Sequence, residues 1–158
     1  MEGVAAGRFV AKDPDWRARV EASFARQAFM RTLGARIVSL APGACVLGMD
    51  HRDDLTQQHG YLHAGVTTTL ADTAAGYAAY SLMPAGSSVL TVEFKTNLAA
   101  PAAGERFEAR ARVLKPGRTL SVVEAEVAAF RDGAWTLVAF MMATMMCLAG
   151  TSDGPAGA

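Results

Sequence analysis

Apolar positions at Trp16, Val20, Phe24 and Ala28 recur at near-helical spacing and predict an amphipathic helix running to about Met30. Asp13-Pro14 ahead of it reads as an N-cap with a first-turn proline, and Gly34 as the stop. Residues 35–52 read as two extended runs about a Pro42-Gly43 turn, followed by the polar loop DDLTQQHG. From His63 to about Leu82 small and apolar residues crowd together, and Met83-Pro84-Ala85-Gly86 ends the run. Small side chains at 71, 74, 75, 76, 78 and 79 predict a central helix that other elements approach closely on several sides. Three alternating runs follow, at 88–99, 106–115 and 119–130, and a hairpin turn leads into a fourth, apolar run at 135–149; the turns are APAAGE, Pro116-Gly117 and Arg131-Asp132-Gly133. They read as four strands in meander, which makes an α+β domain with one antiparallel sheet.

The totals narrow the function classes. The 158 residues suit one domain, and 51% apolar against 19% charged residues rule out a disordered or polar array. Lysine plus arginine balance aspartate plus glutamate at 15 each, without the excess of positive charge a nucleic-acid or membrane-surface binder carries. The longest apolar stretch, 137–150, falls short of the ~20 residues that cross a bilayer, and the N-terminus lacks the apolar core of a secretory signal. A soluble, cytoplasmic protein is expected. Cys45 and Cys147, far apart in apolar surroundings, read as buried free thiols. His51 and His59 flank Asp53-Asp54 without ligand spacing, so no metal and no cofactor are expected. The serines at 87, 88 and 121 lack a nucleophile elbow. The methionines between 141 and 146 read as core or tunnel lining.

Asp72 does not fit the bland pattern. It lies inside the apolar helix, too deep to cap it, with Thr68, Thr69, Ala75 and Gly76 as its helical neighbours. A carboxylate placed there needs partners or a task, and base or nucleophile are the tasks open to it. At the start of the same helix, the N–H groups of Ala64 and Gly65 lack intrahelical acceptors and can hold a carbonyl oxygen or oxyanion. His63 and Asp72, nine residues apart, fall on opposite helix faces and roughly 13 Å apart along the axis. If the two ends cooperate, two copies packed antiparallel about a two-fold axis would have to share the site.

The stretch from Gln57 to about Ala149 resembles the hotdog-fold acyl-CoA thioesterases of the phenylacetate-degradation type. Their pattern of asparagine, glycine three on, HGG and then LxD corresponds here to Gln57, Gly60, His63-Ala64-Gly65 and Leu70-Ala71-Asp72. The strand TVEFKTNLAAPA and the loop VLKPGRTL continue the likeness. The resemblance implies an antiparallel sheet wrapped around a long central helix, and protomers joined into a homodimer, with a homotetramer beyond it. With the N-terminal helical segment taken as 1–34, it makes 35–149 the hotdog domain, and the glycine, serine and proline after Gly150 predict a disordered tail at 150–158. It also implies an acyl-CoA substrate, of medium- to long-chain or aromatic type. Asp72 then matches the catalytic carboxylate, and Ala64, with Gly65 beside it, matches the N–H that polarises the thioester. His63 matches the histidine that positions this turn, and Thr91 a hydroxyl that orients water. Gly60 belongs to the substrate loop, and Lys115, Gly117 and Arg118 lie where the family approaches CoA. Gln57 stands in place of asparagine and adds a methylene; HAG replaces HGG and adds a methyl group. An enoyl-thioester hydratase or dehydratase is one alternative, although it needs histidine and acid at one site. An acyl-CoA-binding protein without turnover is the other.

Overall fold

A computed structural model of the protein describes residues 9–151 and 153–154. Two short helices come first, α1 (Trp16–Arg26) and α2 (Ala28–Leu33), then strands β1 (Arg36–Ala41) and β2 (Ala44–Asp50). The long helix α3 (Ala64–Tyr80) precedes β3 (Ser87–Leu98), β4 (Arg106–Lys115), β5 (Leu120–Arg131) and β6 (Ala134–Ala149). All six strands form one antiparallel sheet in the order β1-β2-β4-β5-β6-β3. The expected four-strand meander is therefore corrected. β4, β5 and β6 do meander, but β3 leaves its sequence neighbour β4 and pairs with β6 at the sheet edge. Short-range alternation shows that a strand exists, not which strand it pairs with.

α3 packs against β2, β3, β4, β5 and β6. Alternation aims Phe107, Ala109, Ala111 and Val113 of β4 and Val123, Ala125 and Val127 of β5 into the core. They meet Ala71, Ala74, Ala75, Ala78 and Ala79 of the helix. Alanine against alanine lets the helix axis lie close to the sheet, which explains the small-residue composition of α3.

The first helix is broken where the sequence predicts continuity. Gln27 is extended (φ −70°, ψ 103°) and its N–H turns back to the Phe24 carbonyl at 3.0 Å. No glycine or proline marks this break; the Gln27 side chain instead reaches the Tyr77 hydroxyl at 2.8 Å. Asp13 does not cap α1 either. Its carboxylate accepts from the Asp15 N–H and pairs with Arg19 at 2.8 Å. Arg19 in turn donates to the Met83 carbonyl at 2.7 Å and lies over the Tyr80 ring, a cation at the C-terminal end of α3. Val20, Met30 and Leu33 complete the attachment of these helices to the common core.

At the other end of the chain, Gly150 donates to the Gly86 carbonyl, Thr151 bonds Ser88, and Asp153 pairs with Arg26 at 2.6 Å. The described part of the expected tail is thus tied to β3 and α1; residues 152 and 155–158, like 1–8, lie outside the described residues. Among the described residues, no helix is long and apolar enough to cross a membrane. Cys45 and Cys147 are free and buried, and burial pushes the Cys45 thiol up to about 12.

One edge of the sheet is unusually apolar. On β3, Leu90 (56% exposed), Val92 (50%), Phe94 (44%) and Leu98 (59%) stand in solvent. A twelve-residue edge strand of this composition is a template for pairing with another chain.

Candidate active site

The candidate residues fall into three groups, one around the N-terminus of α3, one at its mid-length and one in the loop at Gly117. At the N-terminus, residues 55–62 form a tight loop closed by a Thr56–Leu62 bridge and by the Gln57 N–H donating to the Tyr61 carbonyl at 2.8 Å. Gly60 sits inside it at φ +80° and donates to the Gln57 carbonyl. The extra reach of Gln57 is used locally, because its Oε1 accepts the His59 N–H. His63 is the N-cap of α3, and its Nδ1 accepts the Gly65 N–H at 2.9 Å. That bond puts the ring proton on Nε2 and engages one of the two donors the sequence offered. The Gly65 N–H is therefore committed to the cap. The Ala64 N–H, first in the helix, meets no backbone acceptor among the described residues. Gln57, His63 and Ala64 border a cavity of about 590 Å³ whose other walls include Leu98, Pro101 and Val138.

At mid-helix, Asp72 borders a second cavity, of about 450 Å³. Thr91 Oγ1 donates to Asp72 Oδ1 at 2.8 Å, and among the described residues no second donor meets the carboxylate. Burial raises the Asp72 carboxyl above its ordinary value of 3.8, and the Thr91 bond pulls it partly back. A β-bulge makes this contact possible. Thr91 pairs with Met145 and Glu93 with Thr144, so Val92 is the extra residue. The slip puts Thr91 on the helix-facing side with Phe94, whereas unbroken alternation puts them on opposite faces. The Thr91 hydroxyl donates to Asp72, and its oxygen keeps the lone pairs with which it can accept from a water beside the carboxylate. Thr91→Val should remove the one interaction that favours the ionised carboxylate and raise its pKa further. If Asp72 acts as an ionised base or nucleophile, the acid limb of kcat/KM should then move to higher pH in a pH–rate profile. A limb that stays in place rules the bond out of the working enzyme.

Sequence reasoning missed the walls of this second cavity. Ser23, Gln27, Phe29 and Met30 of the N-terminal helices border it, opposite Gly76 and Tyr77 of α3. The break at Gln27 brings them there, and nothing in the residue type announces it. Gly76 is also informative. A methyl group added there meets no atom within 4 Å, and its φ is not left-handed. A glycine inside a helix costs about 0.5–1 kcal/mol relative to alanine, so the fold itself gives no reason for it.

The third group stands apart. Gly117 borders a small cavity with Leu82 and Met83, just past the C-terminal end of α3. A Cβ at Gly117 would lie 2.0 Å from the Leu120 carbonyl oxygen, so the close turn of this loop demands glycine. Lys115 and Arg118 beside it are exposed. Within one chain, then, Gln57, His63 and Ala64 share one cavity, Asp72 and Thr91 another, and the Lys115–Arg118 loop reaches neither.

The family model of the Thioesterase superfamily matches residues 59–136, the segment that spans the capped helix, Asp72 and strands β3 to β5. The chain belongs to this superfamily. As a thioesterase it is a thioester hydrolase of hotdog architecture. It is similar to a thioesterase family protein of Silicibacter pomeroyi, at 56% identity over 85% of this chain and 99% of that one, with a TM-score of 0.85. It is also similar to the E. coli PaaI protein from the phenylacetic acid degradation operon, at 25% identity over 87% and 96% of the two chains, with a TM-score of 0.78. Human acyl-coenzyme A thioesterase 13 is 33% identical over 63% of this thioesterase and 71% of its own length.

Proposed function

We propose that the thioesterase hydrolyses acyl-CoA thioesters, with medium- to long-chain or aromatic acyl groups, at a site shared by two chains. One observation carries this reading: the unpaired Ala64 N–H and the under-bonded Asp72 carboxylate lie on one helix but border different cavities. A thioester carbonyl cannot touch both within a protomer. Antiparallel pairing of two copies through β3 would cover Leu90, Phe94 and Leu98 and bring each Asp72 toward the other chain's Ala64. The name of the human relative supports the choice of acyl-CoA among thioesters.

In this reading the carbonyl oxygen accepts the Ala64 N–H, at the positive end of the α3 dipole, and negative charge gathers there as the carbon becomes tetrahedral. Asp72 either takes a proton from the attacking water or attacks the carbonyl itself and is released by water. Both routes consume one water and yield a carboxylic acid and a thiol. The CoA sulfur leaves readily, since a thiol pKa near ~8.5 makes the thiolate a good leaving group. Thr91 holds Asp72 in place, His63 holds the Ala64 turn, and the Gln57 amide and Gly60 shape the loop beside the carbonyl. Lys115 and Arg118, around the Gly117 turn, supply positive charge for the CoA phosphates.

Subunit mixing tests the shared site. Asp72→Asn and Ala64→Pro are expected to be inactive as separate proteins. When they are unfolded together and refolded, about half the dimers pair unlike chains, and each such dimer contains one intact site, giving about a quarter of wild-type activity. Recovery of no activity from well-folded mixed dimers places both groups in one chain and overturns the shared site.

A further inference from the structure

The cavity beside Asp72 has a polar end that hydrolysis itself does not use. From Asp72, the open strip above Gly76 leads along α3 toward Tyr77, about 7.5 Å further along the helix axis. The Tyr77 hydroxyl accepts from Gln27 Nε2 at 2.8 Å and shares a hydrogen bond with Ser23 Oγ at 3.1 Å. Ser23, Gln27 and Tyr77 all border the cavity. Among the described residues no donor meets Gln27 Oε1, so this cluster keeps an open acceptor. Val89 and Leu90, just before Thr91 on β3, add apolar lining to the same cavity, which Thr73 of α3 and Asp153 also border.

With the Asp72 carboxylate at one point of α3 and the amide with hydroxyls further along it, these surfaces fit a compact acyl group with a polar end better than an unsubstituted alkyl tail. A methyl terminus pressed against the cluster would strip water from Gln27 and return no hydrogen bond. A terminal hydroxyl would replace that water. The vacancy at Gly76 explains how such a group passes, because any side chain there would stand between Asp72 and Tyr77.

We propose that the acyl group lies over Gly76 and ends against Ser23, Gln27 and Tyr77, which select thioesters carrying a hydrogen-bonding group at the far end of the acyl chain. The proposal rests on Asp72 being the group at which the thioester reacts.

Hexanoyl-CoA and 6-hydroxyhexanoyl-CoA differ in that terminal group alone. The wild type should show kcat/KM at least about tenfold higher for the hydroxylated ester. Tyr77→Phe, which keeps the ring packed on Phe24 and Tyr80, and Gln27→Leu should each bring the ratio toward one. Gly76→Ala should raise the melting temperature by about 1–4 °C and lower kcat/KM for both esters severalfold. Equal kcat/KM for the two esters in the wild type, or a ratio that survives both Tyr77→Phe and Gln27→Leu, overturns the selection. Unchanged kcat/KM in Gly76→Ala overturns the path over that residue. Calorimetric binding of both esters to Asp72→Asn separates the layers. A binding preference there, with no wild-type turnover, keeps the subsite and overturns hydrolysis at Asp72; equal binding overturns the subsite.

Discussion

Replacing Asp72 by asparagine should lower kcat by about 10²–10⁴-fold, the range for loss of a positioned base, while leaving the fold at least as stable as the wild type at neutral pH. Burial raises the folded-state carboxyl above 3.8, so the folded chain holds a proton that the unfolded chain has released. Stability therefore falls as pH rises from the unfolded value through the folded one, and above that window the ionised side chain remains a fixed cost. An amide has no such cost, and its oxygen can still accept from Thr91. Thermal melts at pH 7, run beside thiol-release kinetics, check both halves. Near-normal turnover removes Asp72 from the chemistry, and a large loss of stability makes it a structural group.

Ala64→Pro should lower kcat/KM by about 10²–10³-fold, as loss of one oxyanion donor does elsewhere, with little change in melting temperature. The position makes this test unusually clean. Ala64 is the first residue of α3, where proline is well accepted because its missing N–H has no intrahelical partner. His63 before it is already extended, at φ −61° and ψ 141°, the conformation a following proline requires. The substitution thus deletes one N–H and disturbs little else. An active Ala64→Pro enzyme would move the oxyanion contact elsewhere.

The sequence made these two residues visible for different reasons. Asp72 was conspicuous because its surroundings are apolar, and Ala64 because the start of a helix must leave donors unpaired. β4 and β5 were legible through their alternation and β6 as the apolar run after a hairpin, while the Asp132-Gly133 turn has two positive φ values. What could not be read depends on contacts between distant residues. Gln27 breaks a helix for a hydroxyl fifty positions away, and Val92 shifts Thr91 across the sheet through a bulge that leaves no compositional mark. The commitment of the Gly65 N–H to His63 was likewise hidden, since histidine is not a usual capping residue.

The edge position of β3 also bears on how the chain is made. β3 ends at Leu98, but its only strand partner among the described residues, β6, does not begin until Ala134. At about 5–20 residues per second, translation leaves the finished strand waiting roughly two to seven seconds for that partner. During this interval Leu90, Val92, Phe94 and Leu98 are exposed on both edges, so chains on one polysome could meet through β3 before either has closed its own sheet.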